Sequence, residues 1–206
     1  MSQTIKFIEV KSALGQSGIV KDGCCLNPYG GCFHACRYCY AVFMKRFYHQ
    51  HLPWGDFIIV KNNIVKILEE EIKRRKPTKV MISTVTDAWQ PIESRMKLTR
   101  ACVERLLYSG FQLSMLTKSS LIERDLAIFS KYRDQVEVGI TITTDINDVA
   151  KEMEPHVVIP ERRIATLARL SDAGINTYAF IGPGPPDESR YPGSFTSPCN
   201  QTCNNR

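Results

Sequence analysis

Three cysteines in this chain have a spacing suited to binding a metal cluster. The segment from Gly31 to Tyr40 places Cys32, Cys36 and Cys39 in the pattern Cys-x3-Cys-x2-Cys. Thiolates are soft, charged ligands of the kind that hold iron–sulfur clusters. Because a cubane has four irons, three cysteines from one loop leave the fourth iron open to an exogenous ligand. The spacing therefore predicts a cluster that binds a further molecule.

Two alternatives to such a cluster remain open from the residues alone. A zinc site usually needs four protein ligands in paired knuckles. His34 or Cys25 would supply the fourth ligand, or Cys199 and Cys203 would supply a second pair. The other alternative is a cluster with a purely structural role.

The cysteines outside the motif have less distinctive settings. Cys24 and Cys25 precede the motif in a segment that we expect to form the first strand, and we expect them to act as small buried hydrophobes. Cys102 falls in a helical pattern and is expected in the core. His34, inside the cysteine loop, is expected to be exposed.

Elements that would position these residues alternate along the middle of the chain. Short apolar runs predict strands at Val80–Ile82, Phe111–Thr117, Val136–Ile142 and Ile175–Ile181. Helical spacing predicts helices at 64–72, at 98–109, at 120–129 with a Ser120–Glu123 capping box, and at 164–170. This order predicts an α/β fold with right-handed crossovers, and it does not separate a barrel from an open sheet.

The composition changes after Gly182, where proline, glycine and polar residues replace the apolar runs. Such a segment cannot bury enough apolar surface to order itself. We therefore predict a core domain over residues 1–183 and a disordered or irregular tail over residues 184–206.

Composition limits the compartment and the partners. No stretch approaches the roughly 20 apolar residues of a membrane span, and the first residues lack a signal-peptide h-region. The expected location is the cytoplasm, without membrane association. The net charge of +6 permits a polyanionic partner, although the densest basic run, Lys73–Lys76, is expected to be a solvated helix end.

The cysteine motif resembles that of the radical S-adenosylmethionine (radical SAM) superfamily. The aromatic residue Tyr38 before the third cysteine is also typical of that family. The wider segments Asn27–Cys32 and Tyr38–Ala41 resemble the spore photoproduct lyase-like branch, whose members are related to DNA repair photolyases. The resemblance extends over roughly residues 11–181.

Further motifs of this branch follow the predicted strands in the expected order. They are Thr86–Glu93, Thr117–Ser119, Thr143–Thr144, Glu154–Pro155 and Arg163. The resemblance implies a partial (β/α)6 radical SAM barrel with its site at the carboxyl ends of the strands. The family pattern is lost after about Gly184, which predicts a chain truncated before the last strand.

The resemblance also implies the cofactors, a [4Fe–4S] cluster and S-adenosylmethionine. The open iron would bind the amino and carboxylate groups of S-adenosylmethionine, and reductive cleavage would give methionine and a 5′-deoxyadenosyl radical. Tyr38 would lie beside the adenine. Thr86 and Asp87 would hold the methionine ammonium, with an Asx-turn as the alternative for Asp87.

Four more residues each have a possible role at S-adenosylmethionine and an ordinary structural alternative. Lys118 and Ser119 would reach the carboxylate or ribose of S-adenosylmethionine, or would form an ordinary helix entrance. Thr143 would line the cavity or simply end a strand. Arg163 would bind the carboxylate or would be a solvated helix residue.

The function implied is a radical SAM enzyme that acts on nucleic acid. The alternatives are a radical SAM enzyme that modifies a peptide or RNA, and a non-catalytic iron–sulfur or zinc module. An electron donor of the flavodoxin or ferredoxin type is the partner implied by the resemblance.

Overall fold

The computed structural model describes residues 4–18 and 23–182. Its strands there are β1 Thr4–Ile8, β2 Leu14–Gln16, β3 Cys24–Leu26, β4 Tyr29–Gly30, β5 Phe57–Lys61, β6 Lys79–Ile82, β7 Gln112–Thr117, β8 Val136–Ile142 and β9 Asn176–Ile181. Its α-helices are α1 Ile64–Ile72, α2 Glu93–Met96, α3 Leu98–Tyr108, α4 Leu126–Lys131, α5 Asn147–Met153 and α6 Pro160–Asp172. Short 3₁₀ helices cover Tyr40–Tyr48, Ser120–Asp125 and Arg133–Gln135.

The larger sheet has the strand order β2-β3-β6-β7-β8-β9. Neighbours from β3 to β9 are parallel, and β2 runs antiparallel to β3 at the edge. Helices connect successive parallel strands, as in a partial barrel of β/α units. The predicted α/β class and the four predicted strands are confirmed. The predicted truncation and the tail over residues 184–206 lie outside the described residues.

A smaller sheet, β1-β5-β4, was not predicted. β1 and β5 are parallel, and β4 pairs antiparallel with β5 immediately before the cysteine loop. Its buried residues Tyr29, Ile58 and Val60 form an apolar cluster with Phe33 of the loop and with Ile92. This sheet therefore holds the cysteine loop in place through the packing of Phe33.

The main core lies on one face of the larger sheet. Alternate strand residues, including Val80 and Ile82, pack against buried residues of α1, α3, α4 and α6. Because side chains alternate across a strand, the residues between them point to the opposite, concave face. Cys102 is buried in this core, as predicted. No helix in the described part of the chain has the length and apolar character to cross a membrane.

One predicted helix start is wrong. The sequence indicated a capping box between Ser120 and Glu123, whereas Ser119 is the N-cap and its hydroxyl accepts a hydrogen bond from the Leu121 amide. The Glu123 carboxylate instead accepts hydrogen bonds from Thr166 and Arg162 of α6. Glu123 therefore makes a long-range contact with α6 in place of the predicted local capping bond.

Candidate cofactor site at the carboxyl ends of the strands

The cysteine loop begins at a residue that must be glycine. Gly31 has φ +74°, and a Cβ there would lie 2.4 Å from the carbonyl oxygen of Phe57. Its own carbonyl accepts a hydrogen bond from the Thr86 hydroxyl at 2.6 Å. The start of the loop is thus fixed between β5 and the segment that follows β6.

Gln90 holds the same part of the loop through its amide group. The side chain is fully buried. Its Oε1 accepts from the Phe33 amide at 2.9 Å, and its Nε2 donates to the Thr86 hydroxyl at 2.9 Å. A buried amide with both ends paired specifies one loop conformation, because each group left unpaired would cost free energy.

The far end of the loop is attached to the segments after β6 and β8. The Arg37 amide donates to the Met153 carbonyl at 2.9 Å. The Tyr38 phenol donates to the Glu154 carboxylate, and the Tyr40 phenol donates to the Thr84 carbonyl. The predicted adenine neighbour Tyr38 is therefore held by an acid from the predicted Glu-Pro motif.

The middle of the loop packs against the turn before β5. Ala35 has a positive φ of 53°. Gly55 has φ +104°, and a Cβ there would lie 2.4 Å from the Cβ of Ala35. The two backbones approach so closely that only glycine fits at position 55.

The three thiols differ in exposure. Cys32 and Cys36 are buried, and Cys39 is half-buried. Burial raises the pKa of the Cys36 thiol to about 12, although Lys118 opposes the shift, and burial also raises the pKa of Cys39. A metal must displace the proton from such thiols when it binds. Cluster loading therefore releases protons here.

His34 is buried, and the expectation that it is exposed is wrong. It is 4% exposed, and its Nδ1 lies 3.4 Å from Asp87 Oδ2. Although burial opposes it, the charges of Cys32 and Asp87 raise the pKa of His34 to about 10. Burial is likewise outweighed at Asp87, where His34 lowers the pKa to about 2. The contact between His34 and Asp87 holds the cysteine loop against the segment that follows β6.

Asp87 has further donors around it. The Thr117 hydroxyl lies 2.7 Å from Oδ1, the Lys118 amide donates to Oδ2 at 2.9 Å, and the Trp89 amide donates to Oδ1 at 2.9 Å. The last bond is the Asx-turn that the sequence left open. The role of Asp87 and Thr86 at a methionine ammonium stays a prediction, and both side chains already orient the loop and the end of β7.

Glu154 is the centre of a buried charged group. It accepts from Tyr38 and from Arg163 Nη2, and Lys118 Nζ lies 4.0 Å away. Arg163 is 1% exposed, and its Nη1 donates to the Thr141 carbonyl at 3.1 Å. The alternative that Arg163 is solvated is therefore wrong. Lys118 Nζ also lies 5.6 Å from the centroid of the Tyr38 ring.

A cavity of about 530 Å³ opens in front of the three cysteines. Its lining includes four of the seven predicted S-adenosylmethionine contacts, namely Tyr38, Thr86, Asp87 and Lys118. The other three, Ser119, Thr143 and Arg163, are not in the lining. Ser119 caps a helix, and Thr143 is buried.

Other lining residues were not predicted. Trp54 and Tyr40 lie on the cysteine side, and Met81, Tyr178 and Phe180 lie on the concave face of the sheet. The alternation along β9 is the signal that would have found Tyr178 and Phe180. Trp54 gives no comparable signal, because it reaches the site through a separate turn.

These residues fit an iron–sulfur cluster with a bound small molecule. Three soft thiols from one loop face a cavity, and the Trp54 N–H beside them is buried without an acceptor in the described part of the chain. No three His, Cys, Asp or Glu side chains among the described residues are placed to hold a single metal ion. A cubane cluster does not require the three thiolates to converge on one ion, since each thiolate binds its own iron. Cys199 and Cys203, the other candidate ligands, lie outside the described residues.

Comparisons with known proteins give a family match over most of the chain. The sequence model of the Radical SAM superfamily matches residues 26–191. The uncharacterised protein MJ0683 of Methanocaldococcus jannaschii is 36% identical over 189 residues, which are 91% of this chain and 71% of that protein. The uncharacterised protein Rv2578c of Mycobacterium tuberculosis is 33% identical over 169 residues, which are 77% of this chain and 48% of that protein.

A solved structure shares the fold. Spore photoproduct lyase complexed with dinucleoside spore photoproduct superposes with a TM-score of 0.69 at 16% identity. The match covers 90% of this chain and 53% of that one. The chain therefore spans about half the length of this structure and of the mycobacterial relative.

Proposed function

The chain belongs to the radical SAM superfamily, and from that premise we propose that it cleaves S-adenosylmethionine reductively in order to modify a nucleic acid. Membership makes it a radical SAM enzyme whose cofactors are a [4Fe–4S] cluster and S-adenosylmethionine. With both bound, this pair supplies a 5′-deoxyadenosyl radical that abstracts a hydrogen atom from the substrate. The residues of this chain bind, orient and shield that pair.

The observation that carries the proposal is the cysteine loop held at the mouth of the cavity. Cys32, Cys36 and Cys39 would hold the cluster, and Tyr38 and Lys118 line the space next to it. Lys118 carries a cation that suits the carboxylate of S-adenosylmethionine, and the Tyr38 ring offers an aromatic face to the adenine. The residues around the cavity therefore match both halves of this cofactor.

The test is an anaerobic assay. The protein is reconstituted with iron and sulfide, mixed with S-adenosylmethionine and dithionite, and analysed for 5′-deoxyadenosine by mass spectrometry. We expect product from the wild type and none from Cys36→Ala. Bound zinc in place of iron after anaerobic purification would contradict the proposal and favour the non-catalytic module.

Two observations support a nucleic-acid substrate. The related structure of spore photoproduct lyase is described as complexed with a dinucleoside photoproduct, and this chain carries a net charge of +6. A basic protein surface attracts phosphates at long range. Candidate oligonucleotides of DNA and RNA, and peptides, are deuterated and tested for transfer of deuterium into 5′-deoxyadenosine. Transfer from a peptide alone would overturn this part of the proposal.

The proposed electron donor is a small acidic carrier of the flavodoxin or ferredoxin type. The 3₁₀ helix Tyr40–Tyr48, which directly follows Cys39, exposes Phe43 and Phe47. The Arg46 guanidinium lies 4.8 Å from the centroid of the Phe47 ring. Exposed aromatic residues beside a cation suit docking of an acidic partner close to the cluster.

Docking is tested by changing the reductant. Phe47→Ser is expected to slow turnover with reduced flavodoxin and to leave turnover with dithionite unchanged. Tyr108→Ser, at an exposed aromatic residue of α3, is the matched control and should affect neither. Equal effects on both reductants would show that Phe47 acts on the site and not on docking.

A further inference from the structure

Trp54 occupies a fixed position beside the third cysteine. It lies in the turn between the 3₁₀ helix Tyr40–Tyr48 and β5, and it lines the cavity together with Cys39. Its ring meets Phe57 edge to face, with centroids 5.9 Å apart. The neighbouring Gly55 is pressed against Ala35 of the cysteine loop. The backbone next to the indole is therefore packed directly against the cysteine loop.

The indole N–H of Trp54 is a buried donor that lacks a partner. Its Nε1 is shielded from solvent, and no acceptor completes a hydrogen bond with it within the part of the chain that the structure describes. Buried polar groups are normally paired, and an unpaired one costs about 1–3 kcal/mol. The Cys39 thiol lines the same cavity as the indole and lies close enough to interact with it.

We propose that the Trp54 N–H donates a hydrogen bond to Cys39 Sγ when that sulfur is a cluster ligand, and that this bond raises the reduction potential of the cluster. The inference rests on the proposed function, since it needs a cluster on Cys39. Ligation converts the thiol into a charged acceptor, which forms a stronger hydrogen bond than a neutral thiol. Donors to cluster sulfurs stabilise the more negative, reduced state.

Among the described residues, no other side chain donates a hydrogen bond to this sulfur. Lys118 carries a charge near Cys39 and Cys36, and His34 interacts with Cys32. Trp54 is thus a positioning residue that acts on the cluster through Cys39. Its substitution should change the reduction potential of the cluster more than the turnover rate.

The test is a redox titration followed by electron paramagnetic resonance, performed on the reconstituted protein without S-adenosylmethionine. Trp54→Phe keeps an aromatic ring and removes the N–H. At the wild-type midpoint potential, we expect the variant's ratio of reduced to oxidised cluster to fall about tenfold, equivalent to 59 mV for one electron. An unchanged midpoint with a full cluster would overturn the inference.

Two further variants keep the test decisive. Tyr108→Phe removes a donor from an exposed aromatic ring of α3 that does not line the cavity, and we expect its midpoint to stay at the wild-type value. If Trp54→Phe does not load a cluster, benzothienylalanine is placed at position 54 instead. This residue keeps the shape of the indole and has sulfur in place of the N–H. A normal midpoint in that variant would also overturn the inference.

The outcomes separate this inference from the proposed function. A shifted midpoint in a protein that does not cleave S-adenosylmethionine would refute the function and support the role of Trp54. Cleavage by the wild type together with an unshifted midpoint in Trp54→Phe would support the proposed function and refute the role of Trp54.

Discussion

The two sides of the cavity are built differently. The loop wall consists of the cysteine loop and the polar residues that hold it, among them Gln90, Asp87 and Glu154, all buried and all hydrogen-bonded. The strand wall consists of Met81, Leu116, Tyr178 and Phe180 on the concave face of the sheet. Phe180 is 44% exposed on β9, which pairs on one side with β8 in the described part of the chain.

This difference indicates that the two walls have separate functions, one in binding the cofactor and the other in binding the substrate. The loop wall is fixed by paired polar groups before any cofactor binds, which is the preorganisation that cofactor chemistry needs. The strand wall is mainly apolar, although Ser114 and Thr141 also line it. It ends in a partly exposed strand, a surface that a substrate or another protein segment can cover. Substitutions should therefore affect the cofactor on one wall and the substrate on the other.

The largest effect is expected from Cys36→Ala in the loop wall. Removing one of three thiolates leaves an iron without its protein ligand, so we expect no stable cluster and no 5′-deoxyadenosine. Iron and sulfide analysis with visible absorbance measures the loss. Cys102→Ala, at a buried cysteine in the core of α3, is the control and should retain a full cluster at a cost of about 1 kcal/mol in unfolding free energy. Equal cluster content in both variants would contradict the assignment.

Arg163→Met is expected to give the largest loss of stability. It leaves the Glu154 carboxylate buried without its guanidinium partner, and breaking a buried pair in this way costs about 3–5 kcal/mol. Urea unfolding measures the change. Arg169→Met on the same helix removes an ion pair to Glu123 from a side chain that is 65% exposed and should cost less than about 1 kcal/mol. Similar losses would mean that the buried group does not stabilise the loop wall.

Gln90→Leu tests the hydrogen bonds that fix the loop. It leaves the Phe33 amide and the Gly31 carbonyl with fewer partners, for which we expect a loss of about 1–3 kcal/mol together with reduced cluster occupancy. Gln112→Leu, at an exposed position of β7, is the matched control. A stable Gln90→Leu variant with a full cluster would show that the cluster itself orders the loop.

The larger sheet was predictable from sequence, and the smaller sheet was not. The runs at Val80–Ile82 and Val136–Ile142 are apolar because helices cover those strands, so they give a local signal. β4 has two residues, and β1 pairs with β5 across about fifty intervening positions. Such pairings are decided by tertiary contacts that no local pattern records.

The site followed the same rule. The spacing of Cys32, Cys36 and Cys39 is a local signal of chemistry, and so are the polar residues at the strand ends. The burial of His34 depends on where the loop folds relative to Asp87, and the position of Trp54 depends on a separate turn. Sequence reasoning therefore found the residues of the motif and missed the contacts that orient them.

The smallest effect on the cofactor is expected from Phe180→Ser in the strand wall. Because the side chain is partly exposed on the last described strand, unfolding free energy should change by no more than about 0.5 kcal/mol. Cluster content and substrate-free formation of 5′-deoxyadenosine should match the wild type, whereas hydrogen abstraction from a deuterated oligonucleotide should fall. If substrate-free cleavage fell as well, the strand wall would also position S-adenosylmethionine, and the division between the two walls would be wrong.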